Sequence, residues 1–199
     1  MEFYNTIVQT GQAELKDRGS KFIAYAFPIV TTDDVKKALA TLKKEHPKAV
    51  HHCYAYRIGL DGNQFRVNDD GEPSGTAGKP ILGQLDSKQV TNTCIVVVRY
   101  FGGTLLGVPG LIQAYKTAAS LVLQVIPIVP KPVMKKYSVQ FDYTQMNDIM
   151  LIVKQLNGTV LQHQQQLFSS MDVEIPKMHI VEWVNRINHL RSVTLNLLL

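Results

Sequence analysis

The architecture of the first part of the chain follows from one segment, Cys94-Ile95-Val96-Val97-Val98-Arg99-Tyr100-Phe101-Gly102-Gly103-Thr104-Leu105-Leu106-Gly107-Val108-Pro109-Gly110. Its first five residues form the most hydrophobic β-branched run of the protein, which predicts a strand buried on both faces. Four glycines follow, in a loop that leads to a helix predicted from about Pro109 to Val125. This order turns backbone N–H groups and a helix amino terminus towards one point, as in sites that bind anions. The glycine spacing does not match the dinucleotide-binding fingerprint.

The other elements of the first part are predicted from hydrophobic patterning and turn residues. Two strands are expected near residues 7–16 and 20–30, and a third is expected over residues 51–58. Thr31 is expected to cap a helix, with Asp34 as its acidic partner three residues later, and His46-Pro47 ends that helix. A shorter helix is predicted over residues 76–86.

Three prolines, Pro127, Pro130 and Pro132, mark the boundary between two domains because they favour an extended connector. The chain after them shows the order β-α-β-β-α-β, with a turn expected over residues 162–166 and a closing strand over residues 193–199. That order is the ferredoxin-like unit, an antiparallel sheet with two helices on one face. We therefore predict an α+β protein with domains at residues 1–128 and 133–199.

The composition excludes several classes of protein. The 199 residues are 45% hydrophobic and 19% charged, which disfavours disorder, collagen and coiled coils. No apolar run reaches the ~18 residues of a membrane span, and the amino terminus lacks a signal-peptide pattern, so we expect a cytoplasmic protein. The net charge of +5 permits a polyanionic partner without requiring one. Cys53 and Cys94 are expected to be buried thiols.

A second segment is dense in charge and glycine: Asn68-Asp69-Asp70-Gly71-Glu72-Pro73-Ser74-Gly75-Thr76-Ala77-Gly78-Lys79-Pro80. Asp69, Asp70 and Glu72 are candidates to pair with Arg99, because a charge directly after a buried strand is costly unless it is paired or solvated. A salt bridge and a phosphate clamp by Arg99 both remain open. The alternative for the segment itself is a solvated surface turn followed by a helix cap.

The run His51-His52-Cys53 invites comparison with a metal site. Neighbouring residues of a strand point to opposite faces, so His51 and His52 cannot both bind one ion in ordinary geometry. His52 and Asp70 remain candidate ligands for a metal ion held across the fold. No spaced ligand pattern supports them, and we assign neither a metal nor a cofactor.

The three segments at residues 51–53, 68–80 and 96–107 resemble the YigZ/IMPACT family, and the match covers most of residues 15–125. The region after Pro132 resembles, in topology and length, the small carboxy-terminal domain of the bacterial members. The resemblance implies a first domain with the fold of domain two of ribosomal protein S-five and domain four of elongation factor G. It implies a second, ferredoxin-like domain similar to domain five of that factor. Both parallels are to modules that contact RNA.

Eukaryotic relatives of this family regulate translation by interfering with a starvation-responsive kinase of an initiation factor. That activity depends on an additional amino-terminal interaction domain, which nothing in these 199 residues matches. The eukaryotic partner is therefore not transferred to this chain.

The resemblance and the mild basicity together lead to the first functional hypothesis, a translation-associated regulatory module that binds RNA or the ribosome. A translation factor is a further possible partner, and no membrane is implied. The residues expected to contact anions are Thr76, Lys79, Arg99, Gly102, Gly103, Gly107 and Gly110.

Two other functions stay open. The chain could be an enzyme, a metal-assisted hydrolase or phosphotransferase acting on a small anionic substrate. Asp69, Asp70 and Glu72 would then hold a divalent ion or act as general base, with Arg99 clamping the anion. The sequence shows no recognisable nucleophile, which favours a protein that is not an enzyme. The third function is a protein-binding adaptor that uses the open faces of both domains.

Overall fold

A computed structural model describes residues 1–165 and 169–198 of the chain, with the side chain of Gln165 left out. Its internal contacts divide the chain into two compact units. One unit is Tyr4–Lys131, and the other contains Met1–Phe3 and the chain from Pro132 onward. The α+β fold class is confirmed, since helices and strands occur together in both units.

The first unit is organised around a five-stranded antiparallel sheet. Seven strands occur in this part of the chain, five of them in the large sheet. In chain order they are β1 (Phe3–Ile7), β2 (Gly11–Asp17), β3 (Ser20–Pro28), β4 (His51–Ile58), β5 (Gln64–Asn68), β6 (Thr93–Tyr100) and β7 (Ile128–Pro132). The large sheet has the order β2-β3-β6-β4-β5, while β1 and β7 form a separate two-stranded sheet. The β-branched run at residues 94–98 therefore lies in β6, the central strand.

Helices cover both faces of this sheet. They are α1 (Thr32–Glu45), α2 (Gly78–Ser87) and α3 (Gly107–Val125). Along β6, Ile95 and Val97 belong to the core that includes residues of α2 and α3, whereas Val96 and Val98 belong to the core under α1. The prediction of a strand buried on both faces is confirmed, and the unit has three layers.

The start of α1 confirms the predicted cap. The Thr31 hydroxyl accepts the N–H of Asp34, and the Asp34 carboxylate accepts the N–H of Thr31. The two other helices begin at other residues than expected: α2 starts at Gly78, two residues later, and α3 starts at Gly107, two residues earlier. Among the described residues, no helix combines the length and the apolar composition that crossing a membrane requires.

The second unit has the ferredoxin-like order. Its elements are β8 (Met134–Phe141), α4 (Met146–Gln155), β9 (Thr159–Gln165), β10 (Ser169–Pro176), α5 (Ile180–Asn188) and β11 (Thr194–Leu198). The strand order is β11-β8-β10-β9, and Trp183 of α5 is fully buried in the core. The turn predicted over residues 162–166 is wrong for its first four residues, because β9 continues to Gln165 and pairs with β10. The rest of that predicted turn, and residue 199 of the predicted closing strand, lie outside the described residues.

Candidate functional site

Asp69 holds the loop before α2 in shape. Its carboxylate accepts hydrogen bonds from the backbone N–H groups of Gly75 at 2.9 Å, Ala77 at 3.0 Å and Gly78 at 2.8 Å. Partial burial alone would raise the pKa of this carboxyl, but the three N–H groups stabilise its charge and the pKa is lowered. The sequence suggested Asp69 as a metal ligand or general base, whereas the structure uses its carboxylate to fix the loop and the start of α2.

Asp70 attaches the same loop to β4. Its carboxylate accepts the backbone N–H of His52 at 2.7 Å, and its carbonyl oxygen lies 2.7 Å from Nδ1 of His51. The Asp70 backbone has φ +42°, a conformation that aspartate adopts more readily than most residues. Through these contacts Asp70 holds the loop against β4.

A buried ion pair joins the two segments that the sequence singled out. Arg99 Nη1 donates to Glu72 Oε1 at 2.6 Å, and the two side chains are only 6% and 3% exposed. The Tyr115 hydroxyl of α3 donates to the same oxygen at 2.7 Å. The partner of Arg99 is therefore Glu72, and neither Asp69 nor Asp70. The two segments, which are distant in sequence, therefore meet in space.

The register of the sheet explains why these groups meet. Arg99 lies directly opposite His51 on β4 and opposite Phe22 on β3. Alternation places all three side chains on the face of the sheet that α2 and α3 cover. The guanidinium carbon lies 5.4 Å from the centre of the Phe22 ring and 5.6 Å from that of Phe101. Arg99 Nη2 has only a long contact of 3.4 Å to Ser20 Oγ, and Nε is buried with no hydrogen-bond partner.

His51 takes part in the same cluster with a defined orientation. Nδ1 faces the Asp70 carbonyl oxygen, which can only accept, so Nδ1 carries a proton. Nε2 then lies 3.8 Å from Glu72 Oε1. His52 points to the opposite face, as predicted. Burial there lowers the pKa of its ring, although the nearby negative charge of Asp70 acts in the other direction.

Two further groups beside the cluster are held in their neutral forms. Burial raises the pKa of both the Cys53 thiol and the Tyr115 hydroxyl, which lie 3.3 Å apart. Burial also raises the pKa of Cys94 to about 12. Both thiols are therefore protonated at neutral pH and are poor nucleophiles.

A cavity of about 430 Å³ opens above the Arg99–Glu72 pair. Its polar lining is His51, Glu72 and Arg99, and its apolar lining is Val50, Pro73, Phe101, Leu105, Leu106, Val108 and Leu111. Gly107, where α3 begins, also lines it, with φ +70°. No side chain caps this helix, and its first turn has no acidic residue.

The other residues predicted to contact anions lie apart from this lining. Lys79 is exposed at the start of α2, and the buried Thr76 hydroxyl donates to the Pro73 carbonyl oxygen at 2.6 Å. Gly102 is required by packing, because a Cβ there would lie 1.9 Å from the carbonyl carbon of Gly19. A Cβ on Gly110 would meet the guanidinium of Arg18 at 2.5 Å, whereas Gly103 has open space around it. Of the predicted set, Arg99 and Gly107 line the cavity.

His51 and Tyr115 were not predicted from the sequence to belong to this site. Tyr115 lies on the apolar stripe of α3, where a core position was the natural interpretation. Its hydroxyl donates a hydrogen bond to Glu72, which lies 43 residues earlier in the chain. For His51, the alternation with Cys53 on β4 was the available signal, because it places both side chains on one face.

Four lysines face solvent on α1. Lys36 and Lys43 form one row and Lys37 and Lys44 form another, because residues seven apart lie on the same side of a helix. All four are exposed; the Lys37 and Lys44 row lies opposite the buried Val35 and Leu42, and the Lys36 and Lys43 row lies beside it. Asp33 forms an ion pair with Lys36 at 2.8 Å. We call these four residues, Lys36, Lys37, Lys43 and Lys44, the lysine face.

No group of three or more His, Cys, Asp or Glu side chains suited to a metal ion occurs within residues 1–165 and 169–198. The two candidate ligands, His52 and Asp70, approach to 4.0 Å from Nδ1 to the carboxylate. They form a pair only.

Comparison with known proteins gives consistent similarities. The family model described as the Impact N-terminal domain matches residues 18–123. The IMPACT family member YigZ of Escherichia coli (strain K12) is 35% identical over 184 residues, which cover 90% of this chain and 89% of that protein. Protein IMPACT of Rattus norvegicus is 41% identical over 100 residues, covering 48% of this chain and 31% of the rat protein. A solved structure described as that of a hypothetical protein is 32% identical and covers all of this chain and 97% of its own, with a TM-score of 0.79.

Proposed function

Because the chain belongs to the IMPACT family, we propose that it regulates translation and that it does so by binding RNA or the ribosome. The eukaryotic members of this family are regulators of translation, and the folds that the family resembles belong to modules that contact RNA. A role in translation fits the expectation of a cytoplasmic protein. The proposal assigns no reaction to the chain, and a translation factor is a further possible partner.

The lysine face carries the proposal. Four exposed ammonium groups lie within nine residues of one helix, and Lys36 is the one that forms an ion pair, with Asp33. The other acidic residues of α1 are Asp34 in its first turn and Glu45 at its end. Exposed lysines that neutralise phosphates release condensed counterions, which supplies most of the affinity for nucleic acid without sequence preference. The Arg99 guanidinium, in contrast, is buried and already paired with Glu72. The phosphate contacts are therefore assigned to α1 rather than to the glycine-rich loop.

The test compares RNA binding by two triple variants over a range of salt concentrations. The first, Lys37→Gln with Lys43→Gln and Lys44→Gln, removes three charges from the lysine face. We expect weaker binding to a fluorescent single-stranded RNA and a salt dependence reduced by about 2 in the slope of log K against log salt concentration. Cosedimentation with purified ribosomes should fall in parallel.

The matched control removes the same charge from the second unit, as Lys135→Gln with Lys154→Gln and Lys177→Gln, all of which are exposed. This control should bind RNA like the unmodified protein. Equal losses in both triple variants would show that net charge alone is responsible and would contradict the assignment to α1. If the unmodified protein has no affinity for RNA or ribosomes even at low salt, the proposed function is wrong.

A further inference from the structure

We infer that the cavity above the Arg99–Glu72 pair is a binding site for a small carboxylic acid with an apolar body. This goes beyond the proposed function, because the cavity and the lysine face share no residue. The volume of about 430 Å³ falls in the range of cavities that hold small molecules. Mostly apolar walls with a few convergent polar groups are also typical of such sites.

The charges around the cavity favour one negative charge on the ligand. The charge of Arg99 is matched by that of Glu72 in direct contact, so the pair as a whole is neutral. The remaining field is that of α3, whose amino terminus carries about half a positive charge. With no capping side chain and no acidic residue in its first turn, this helix end has no partner of its own. A carboxylate placed against Gly107 would serve as the cap that this helix end lacks.

Arg99 is the basic side chain of the cavity lining, and it is only 6% exposed. Its Nε is enclosed by protein, but Nη2 has no contact closer than 3.4 Å, to Ser20 Oγ. Nη2 is therefore the donor that a ligand oxygen would satisfy, since a buried donor without a good partner is costly. A guanidinium and a helix amino terminus together match the two oxygens of a carboxylate.

The walls determine the rest of the ligand. Phe101, Leu105 and Val108 line the opening and are 48%, 83% and 52% exposed, so they are free to pack against an apolar group. A phosphate dianion is disfavoured because it would bring a second negative charge near Glu72. The chemistry expected is therefore a monoanionic head on an aromatic or branched aliphatic body.

The experiment titrates the full chain with three acids, phenylacetate, cyclohexylacetate and isovalerate, and with their neutral amides. Binding is followed by the backbone amide resonances of Gly107 and Val108. We expect at least one acid to shift these resonances and to bind about tenfold more tightly than its amide, since a helix amino terminus stabilises a negative charge. Phenethylamine, which carries the opposite charge, should bind more weakly than phenylacetamide.

A variant pair places a charge at the opening without disturbing the core. Leu105→Asp puts a carboxylate next to the helix end, and Leu105→Asn is the neutral control of the same shape; residue 105 is 83% exposed, so both should fold. The aspartate variant should lose about tenfold in affinity for the acid relative to the asparagine variant, with no change for the amide.

Several outcomes would overturn the inference. They are the absence of binding by every acid, equal affinity of acid and amide, resonance shifts confined to other residues, and equal acid affinity in the two variants. A short peptide ending in phenylalanine that binds more tightly than phenylacetate would assign the cavity to a protein terminus and would overturn the small-ligand proposal. Each outcome leaves the RNA-binding proposal untouched, because the lysine face is tested separately.

Discussion

The Glu72→Gln substitution tests whether the buried ion pair holds the two functional segments together. Glutamine keeps the size and shape of the side chain, and its carbonyl oxygen can still accept a hydrogen bond from the Tyr115 hydroxyl. It removes the negative charge that lies 2.6 Å from Arg99 Nη1. The guanidinium then remains in the core without an opposite charge, because its other contacts are the Ser20 hydroxyl and two aromatic rings.

The expected cost follows from the burial of the pair. The two side chains are 6% and 3% exposed, so solvent screens the lost attraction very little. Leaving one partner of a buried pair uncompensated lowers the free energy of unfolding by about 3–5 kcal/mol. The double variant Glu72→Gln with Arg99→Met removes the unpaired charge as well and should recover at least about 2 kcal/mol of that loss.

Urea denaturation followed by far-ultraviolet circular dichroism measures these changes. The single tryptophan, Trp183, lies in the core of the second unit, and its fluorescence reports the unfolding of that unit separately. Glu174→Gln is the matched control, because Glu174 is partly exposed and 3.7 Å from Lys136; it should cost less than about 1 kcal/mol. A loss below about 1 kcal/mol for Glu72→Gln would refute the assignment of a stabilising role to the buried pair.

Two further predictions concern the loops around the pair. Asp69→Asn should lower the free energy of unfolding by about 2 kcal/mol, because its amide cannot accept all three backbone N–H groups. Since folding lowers the pKa of Asp69, its contribution is complete above the ordinary carboxyl pKa and is lost as the pH falls through the lowered value. Urea titrations over a pH series should therefore show the free energies of unfolding of the Asp69→Asn variant and of the unmodified protein converging as the pH falls. A difference that stays constant with pH would contradict this role. Gly102→Ala should cost about 2 kcal/mol or more, since its Cβ would collide with Gly19. Gly83→Ala on α2, which meets nothing within 4 Å, should stabilise by up to about 1 kcal/mol. Thermal unfolding measures both glycine variants, and shifts of the same sign would show the packing argument to be wrong.

The elements that sequence predicted well are those whose signals are local. The β-branched run at residues 94–98 indicates a buried strand by itself, and Thr31 with Asp34 forms a cap within one helical turn. The limits of α2 were less predictable, because its start is set by Asp69, nine residues before Gly78. The helix could not be placed correctly without knowing which N–H groups that carboxylate accepts.

The candidate site was predictable in part for the same reason. Desolvation cost alone required a partner for Arg99, and the nearby carboxylates were the candidates. The choice of Glu72 over Asp69 and Asp70 depends on tertiary contacts, since Tyr115 and His51 converge on it from α3 and β4. The glycines at 102 and 110 looked like ligands in sequence, but their absent side chains make room for Gly19 and Arg18.

The three-layer arrangement of the first unit has a consequence for how two partners would be accommodated. α1 covers one face of the sheet, while His51, Arg99 and α3 shape the cavity on the other face. A nucleic acid on one side and a metabolite on the other would thus be held simultaneously, without competing for a side chain. Saturating the protein with an acid that fills the cavity should leave the midpoint of an RNA titration unchanged.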